Sequence, residues 1–203
     1  MSPRAGLDKA AVVQAAAALV NAGGLEALSI TRLATRLGVQ APSIYNHVGG
    51  LAGLRRELAL AGHRALAERM AEAAIGRSGA DALLAVADAY RAFIKESPGV
   101  YTAGLRASGT LKTMDEELRA AEERVLRIVM AIIKSFGLEG EAGLHAARGL
   151  RSMVHGFATL EISGGFGLPL DLDESFHRLI QLLIYGMQQQ AQTAAEAARG
   201  NGF

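Results

Sequence analysis

Seven side chains of suggestive type lie close together in this sequence: Ser29, Thr31, Gln40, Ser43, Tyr45, Asn46 and His47. Gln40 and Asn46 carry amides of the kind that pair with adenine edges, and a serine hydroxyl like that of Ser43 suits either kind of base edge. Tyr45 and His47 carry donors suited to phosphate oxygens, contacts that fix register without reading sequence. Ser29 and Thr31 fall at a predicted helix start, where a hydroxyl and unpaired backbone N–H groups can hold a phosphate. A second reading stands beside this one, in which Tyr45 and His47 only close a hydrophobic hairpin. Four outward polar or aromatic residues on a helix predicted over 41–47 leave little apolar surface to bury, which favours the first reading.

Two short helices must position these groups. Ser29 is a fair N-cap for a helix whose inward face is Leu33, Ala34 and Leu37, and Gly38 closes it as the residue after the cap. Val39-Gln40-Ala41 is then a tight connection. Pro42 sits in the first turn of the next helix, where proline is tolerated. Leu33, Ala34, Leu37, Val39 and Ile44 are spaced to fix the crossing of the pair, and a glycine in the turn is the usual requirement of a helix-turn-helix. Before the pair, the spacing predicts a helix over 7–21 capped by Asp8 and ended by Gly23-Gly24. After it come Gly49-Gly50 and further predicted helices over 51–75, 80–96, 100–107, 112–136 and 141–163. Asp171 with Glu174 resembles a capping box opening a ninth helix, which runs to about 192. No strand is expected, so the fold class is all-α.

Composition agrees. Half the residues are hydrophobic, enough for a substantial core, and alanine and leucine dominate over β-branched and aromatic residues, which favours helix. There is no cysteine, which excludes disulfides, thiolate metal sites and cysteine nucleophiles. No apolar run reaches the roughly 18 residues of a membrane span, and the first residues lack the apolar core of a secretory signal. A soluble cytoplasmic protein with no membrane partner is expected. Residues 1–60 hold six Lys/Arg against three acids, while the rest holds fifteen against seventeen. A mildly basic head on a mildly acidic body suits one end meeting a polyanion.

The residues Ser29-Ile30-Thr31-Arg32-Leu33-Ala34, Gly38-Val39, Ser43-Ile44-Tyr45-Asn46-His47-Val48 and Leu54 resemble the N-terminal domain of TetR/AcrR-type transcriptional regulators over roughly 8–58. The resemblance implies an all-α homodimer with three DNA-binding helices and a larger body that binds an effector and dimerises. It places Gln40, Ala41, Pro42 and Ser43 where the family reads bases, and Tyr45 and His47 at its phosphate contacts. Ser29 and Thr31 match the start of its bracing helix. Two positions depart from the pattern: Val48 stands where the family has Phe, and Leu51 where it often has Lys. Arg55 and Arg56 are the nearest replacements for the missing cation. The implied domains are a DNA-binding head over 1–50 running into the fourth helix, a body over 51–192 and a flexible tail over 193–203.

The body carries no catalytic signature. Ile162 to Gly167 is glycine-rich but follows a predicted helix and lacks a lysine, so it is not a phosphate-binding loop. His145 and His155 point about 80° apart at ~100° per residue, and neither HExxH nor inward Glu-x-x-His pairs are present. No enzyme activity, cofactor or metal is expected; an all-α enzyme or a protein-binding adaptor are the alternatives. Val154-His155-Gly156 resembles the Trp-His-Gly signature of one C-terminal domain type of the family. His155 has two readings: a polar anchor in an effector pocket, or a buried residue bonding a carbonyl, with Gly156 allowing close helix packing. The second is favoured. Phe93, Tyr101, Leu105, Met114, Met130 and His155 are the candidates to line a pocket for an unknown small molecule. Met153, Phe157 and Leu160, with Leu179, Leu182, Leu183 and Met187, carry more apolar surface than one helix pair buries, so two copies are expected to form a four-helix bundle.

Overall fold

The computed structural model describes residues 7–108 and 115–200, and among these there are nine α-helices, one 3-10 turn and no strand. The helices are α1 (Lys9–Gly23), α2 (Ile30–Leu37), α3 (Ala41–Val48), α4 (Gly50–Ala74), α5 (Gly79–Glu96), α6 (Pro98–Ser108), α7 (Glu116–Lys134), α8 (Gly140–Ile162) and α9 (Leu172–Gly200). Where they fall on described residues the expected boundaries hold to within a few residues, with two informative differences; the helix start expected at 112 lies outside the described residues. Pro98 opens α6 rather than ending the preceding break, because a first-turn proline forfeits no intrahelical bond. α9 does not stop near Gln192 but continues to Gly200, through a run of alanines that are the best helix formers.

The chain packs into two compact units. The first comprises the residues up to Ala65 together with Glu96–Glu122, and the second comprises Leu66–Lys95 and the chain from Glu123 onward. α4 and α7 therefore each contribute to both. In the first unit, Val12, Ala16 and Val20 of α1 are buried, as are Leu33 and Ala34 of α2, Ile44 and Val48 of α3, and Leu54 and Leu58 of α4. Within α1, α3 and α4 these recur every four residues, the stripe by which a helix faces a core. α6 joins this unit by a specific device. The Asn21 Oδ1 at the end of α1 accepts from the amides of Gly99 (3.1 Å) and Val100 (3.0 Å), satisfying donors that the first turn of α6 leaves unpaired. A Cβ on Gly99 would lie 2.1 Å from the Val20 carbonyl oxygen, so only glycine lets the two backbones meet.

The second unit has its core in Leu83, Val86, Phe93 and Ile94 of α5, Val129 and Ile133 of α7, Leu150, Val154 and Phe157 of α8, and Phe176 and Ile180 of α9. Among these apolar side chains one cation is buried. Arg91 of α5 is only 5% exposed. Its Nε donates to Glu161 Oε2 (2.8 Å), its Nη2 to Glu161 Oε1 (2.9 Å) and its Nη1 to Asp173 Oδ1 (2.8 Å). Lys95 adds a third donor to Glu161 at 2.6 Å. The guanidinium stacks 4.8 Å from the Phe176 ring centre and 5.2 Å from that of Phe157, an arrangement favoured by the ring quadrupoles. Burial alone pushes Glu161 up, but the hydrogen bonds from Arg91 and Lys95 outweigh it and leave the carboxyl below its ordinary value. α5, the end of α8 and the start of α9 are thereby held at one point.

Candidate nucleic-acid interface

The α2–α3 pair is built from local signals. Ser29 Oγ accepts from the Arg32 amide at 3.1 Å and caps α2, a contact worth about 1 kcal/mol. Gly38 takes the left-handed conformation (φ 66°, ψ 32°) that ends the helix, and the Val39 amide donates back to the Ala34 carbonyl at 3.0 Å. Gln40 is the N-cap residue of α3, yet its side chain makes no capping bond. The turn is closed instead by backbone, with the Ser43 amide donating to the Gln40 carbonyl at 3.0 Å. The Gln40 amide group is thus left pointing away from the fold, where it is exposed.

On α3, Ile44 and Val48 are buried one turn apart. Every residue that the sequence assigns to recognition falls off that stripe. Pro42, Tyr45 and Asn46 are exposed, and Ala41, Ser43 and His47 are half-buried. Tyr45 is 54% exposed, but its ring edge is not loose: a Cβ on Gly50 would lie 3.1 Å from Tyr45 Cε1. Gly49 and Gly50 both have positive φ (65° and 91°), and this turn lets α4 start directly beneath the tyrosine. Ser29 is half-buried and Thr31 exposed at the head of α2, where the first amides have no partner within the helix. One short element therefore fixes its inner face with two aliphatic residues and presents amide, hydroxyl, phenol and imidazole groups together on the outside.

Two cations that the sequence did not single out lie on the neighbouring α2. Arg32 and Arg36 lie one turn apart on α2, and both are exposed. Their i, i+4 spacing beside Thr31 and Thr35 was the available signal, and Lys/Arg near a phosphate path supply most of the sequence-independent affinity. Of the two proposed stand-ins for the missing lysine, Arg56 is engaged by the protein's own carboxylates. Its Nη2 donates to Asp115 Oδ1 (2.9 Å) and Glu117 Oε2 (2.7 Å), and its Nη1 to Glu57 Oε1 (2.6 Å). Arg55 is exposed.

The candidate pocket residues do not all fall in one unit. Tyr101 (buried) and Leu105 (half-buried) are on α6 of the first unit, whereas Phe93 (buried), Met130 and His155 (both half-buried) are in the second. Met114 lies outside the described residues. Phe93 carries the Arg69 guanidinium 5.6 Å from its ring centre, and the Met130 methyl is 2.9 Å from where a Cβ on Gly143 would sit. The glycine-rich stretch after α8 is a helix-ending turn, with Gly164 at φ 69° and the Gly165 amide bonded to the Leu160 carbonyl at 2.8 Å.

Residues 12–58 match the bacterial regulatory proteins of the tetR family, and residues 83–183 match the tetracyclin repressor-like C-terminal domain. An uncharacterised HTH-type transcriptional regulator of Bacillus subtilis is 35% identical over 92% of this chain and 96% of its own length. The chain belongs to the TetR family. The fold agrees with a protein of unknown function from Rhodococcus (TM-score 0.78, 19% identity, 92% of this chain and 98% of that one). It also agrees with a TetR variant from Acinetobacter baumannii solved with minocycline (TM-score 0.68, 23% identity, 91% and 98%). As a TetR-family member the protein is a DNA-binding transcriptional regulator, and the α2–α3 pair falls within the matched N-terminal domain. The C-terminal match is to a tetracyclin repressor-like C-terminal domain; the likeness to the Trp-His-Gly type rests on Val154-His155-Gly156 and the residues flanking it. No helix among the described residues is long and apolar enough to cross a membrane.

Proposed function

We propose that this TetR-family regulator is a cytoplasmic, ligand-responsive repressor that binds a near-palindromic operator as a homodimer. The observation that carries the reading is the exposed polar face of α3, set on the buried pair Ile44 and Val48. In this reading Gln40, Ala41, Pro42, Ser43 and Asn46 meet base edges in the major groove. Tyr45, His47, Ser29 and Thr31 hold phosphates, and Arg32 and Arg36 add charge along the backbone. The head of residues 1–50, extended by the start of α4, reads DNA, and residues 51–192 sense and dimerise.

Dimerisation is supported by apolar surface on the last two helices, though not by Phe157 and Met187 of the expected set, which are buried within the protomer. Leu160 of α8 and Leu182 (68%) and Tyr185 (62%) of α9 are exposed. A Cβ on Gly156 or Gly186 would meet nothing within 4 Å, so these backbones are open to a close neighbour. Two such helices from each protomer make a four-helix bundle. The two-fold axis then sets the two α3 helices about 34–36 Å apart, or a multiple of that, to match successive grooves. An effector that prefers a different arrangement of the dimer releases DNA. Its leverage equals its differential affinity for the two arrangements, typically about 1–3 kcal/mol. The minocycline held by the Acinetobacter neighbour supports a small molecule as the kind of effector.

The test is binding of the purified protein to DNA from its own promoter region across a salt series, with random DNA as competitor. The expected result is a dimer-sized complex, retained against competitor, whose affinity falls steeply with salt. Equal, weak binding to both DNAs overturns the reading of α3 as a sequence-reading helix at that promoter.

A further inference from the structure

Where α4, α6 and α7 meet in the first unit, Ala59, Leu60, Leu118 and Ala121 are buried together, with Ala107 packed against them. This small apolar cluster has polar company on all three helices. His63 follows Leu60 by about one turn of α4, and its ring lies 3.4 Å from where a Cβ on Gly104 of α6 would sit. Tyr101, one turn earlier on α6, is buried. Glu122 is the neighbour of Ala121 on α7. Its Oε2 is shut off from solvent and has no hydrogen-bond partner among the described residues.

A buried acceptor without a donor is costly, and native folds seldom keep one without a reason. The largely shielded carboxylate of Glu161, by contrast, receives donors from Arg91 and Lys95. Glu122 Oε2 has no such donor among the described residues. An apolar lining with a few polar groups is the usual composition of a small-molecule site, and a carboxylate oxygen waiting for a donor selects the ligand. A charge-assisted N⁺–H···O⁻ bond is about twice as strong as a neutral one.

Resting on the effector-responsive reading above, we propose that Glu122 is the polar anchor of the effector site at the α4–α6–α7 contact. The effector class it selects is a protonated amine on a compact apolar body. The site shares α6 with the head: the same helix that offers Tyr101 and Gly104 is held at its first amides by Asn21 of α1. A ligand seated there bears on a helix in the same compact unit as α3.

The test uses the full-length protein and three probes of one shape: 3-phenylpropylamine, 3-phenylpropan-1-ol and 3-phenylpropionate. Thermal melting is followed for the wild type, Glu122→Gln and Glu122→Met. The amine is expected to raise the wild-type Tm, with little effect from the alcohol and none from the carboxylate, and Glu122→Gln should abolish the amine response. Without any probe, Glu122→Met is expected to melt about 2–4 °C above the wild type, the shift given by roughly 1 kcal/mol in a chain of this size, because it removes the unpaired acceptor and keeps the side-chain shape. The proposal is overturned if Glu122→Met melts lower, which would give Oε2 a structural partner. It is also overturned if the carboxylate stabilises as well as the amine, if Glu122→Gln still responds, or if no probe shifts the wild type. Operator binding by the same variants, measured without probe, separates the two readings. Loss of operator binding by the wild type sinks the repressor and leaves the amine site standing.

Discussion

The outer face of α3 and the Arg91 cluster are both concentrations of polar side chains, and they are built on opposite terms. Around Arg91 the donors and acceptors answer one another: a guanidinium buried against Phe157 and Phe176, two carboxylates and an ammonium. On α3, Gln40, Tyr45 and Asn46 are exposed, and the Gln40 side chain is not used even to cap its own helix. The protein's own stability explains the first set. It does not explain the second, which the fold displays without using. The separation between polar groups that hold the molecule together and polar groups that face a partner is therefore testable by asking which property each substitution changes.

The largest effect is expected at Arg91. Arg91→Ala leaves Glu161 and Asp173 without their main donor, and breaking one side of a buried pair costs about 3–5 kcal/mol. Urea unfolding should show that loss. Arg91→Met, which keeps apolar contact with the two rings, should cost less than Arg91→Ala. Equal stability of Arg91→Ala and the wild type would mean the cluster holds nothing. Next comes Gly99→Ala. With the Val20 carbonyl oxygen 2.1 Å from the added Cβ, α6 must shift off α1 and release the Asn21 cap. A loss of about 1–3 kcal/mol is expected for such overpacking, read as a fall in the urea midpoint.

Substitutions on α3 should do the reverse. Tyr45→Phe and Gln40→Ala are expected to leave stability within about 0.5 kcal/mol, as exposed positions do. Gln40→Ala should relax the preference at one operator base pair by about 1–3 kcal/mol, and Tyr45→Phe should weaken binding to all sequences alike. Titrating operator variants against both proteins checks this. A Gln40→Ala protein with unaltered sequence preference would move that residue from the recognition set to the merely exposed.

The two regions also differ in how far they were legible from sequence. The α2–α3 hairpin is written in neighbours: Ser29 three residues before the amide it caps, Gly38 where the chain turns left-handed, Ile44 and Val48 one turn apart. Each signal lies within a few residues of what it controls, so the hairpin and its outward groups follow from local rules. Arg91 reaches partners 70 and 82 positions away. No periodicity connects them, and taken singly each residue reads as a solvated charge. Arg56 misled for the same reason. Beside Arg55 at the start of α4 it looks like a free cation, and its partners lie 59 and 61 positions on. The unpartnered oxygen of Glu122 was equally invisible, since burial next to Ala121 depends on how three helices meet.

The smallest effect tests whether Arg56 belongs to the fold or to the DNA. Hydrogen bonds from Arg56, then the Leu118 amide, lower the Asp115 carboxyl to about 2, and Arg56 and Arg64 lower Glu117. A carboxyl depressed in the folded state contributes stability that is fully present above its unfolded value of about 4 and is lost as the pH falls through the folded value. The wild type should therefore melt slightly higher than an Asp115→Asn/Glu117→Gln variant at neutral pH. The gap should close as the pH falls from about 4 towards 2, and it should narrow in high salt because the pairs are exposed and screened. The same variant relieves Arg56 of two of its partners. If Arg56 serves only the fold, the salt slope of operator binding stays that of the wild type. If instead the slope steepens by about one unit, those carboxylates were competing with a phosphate for Arg56, and the division between inward and outward polar groups runs through α4 itself.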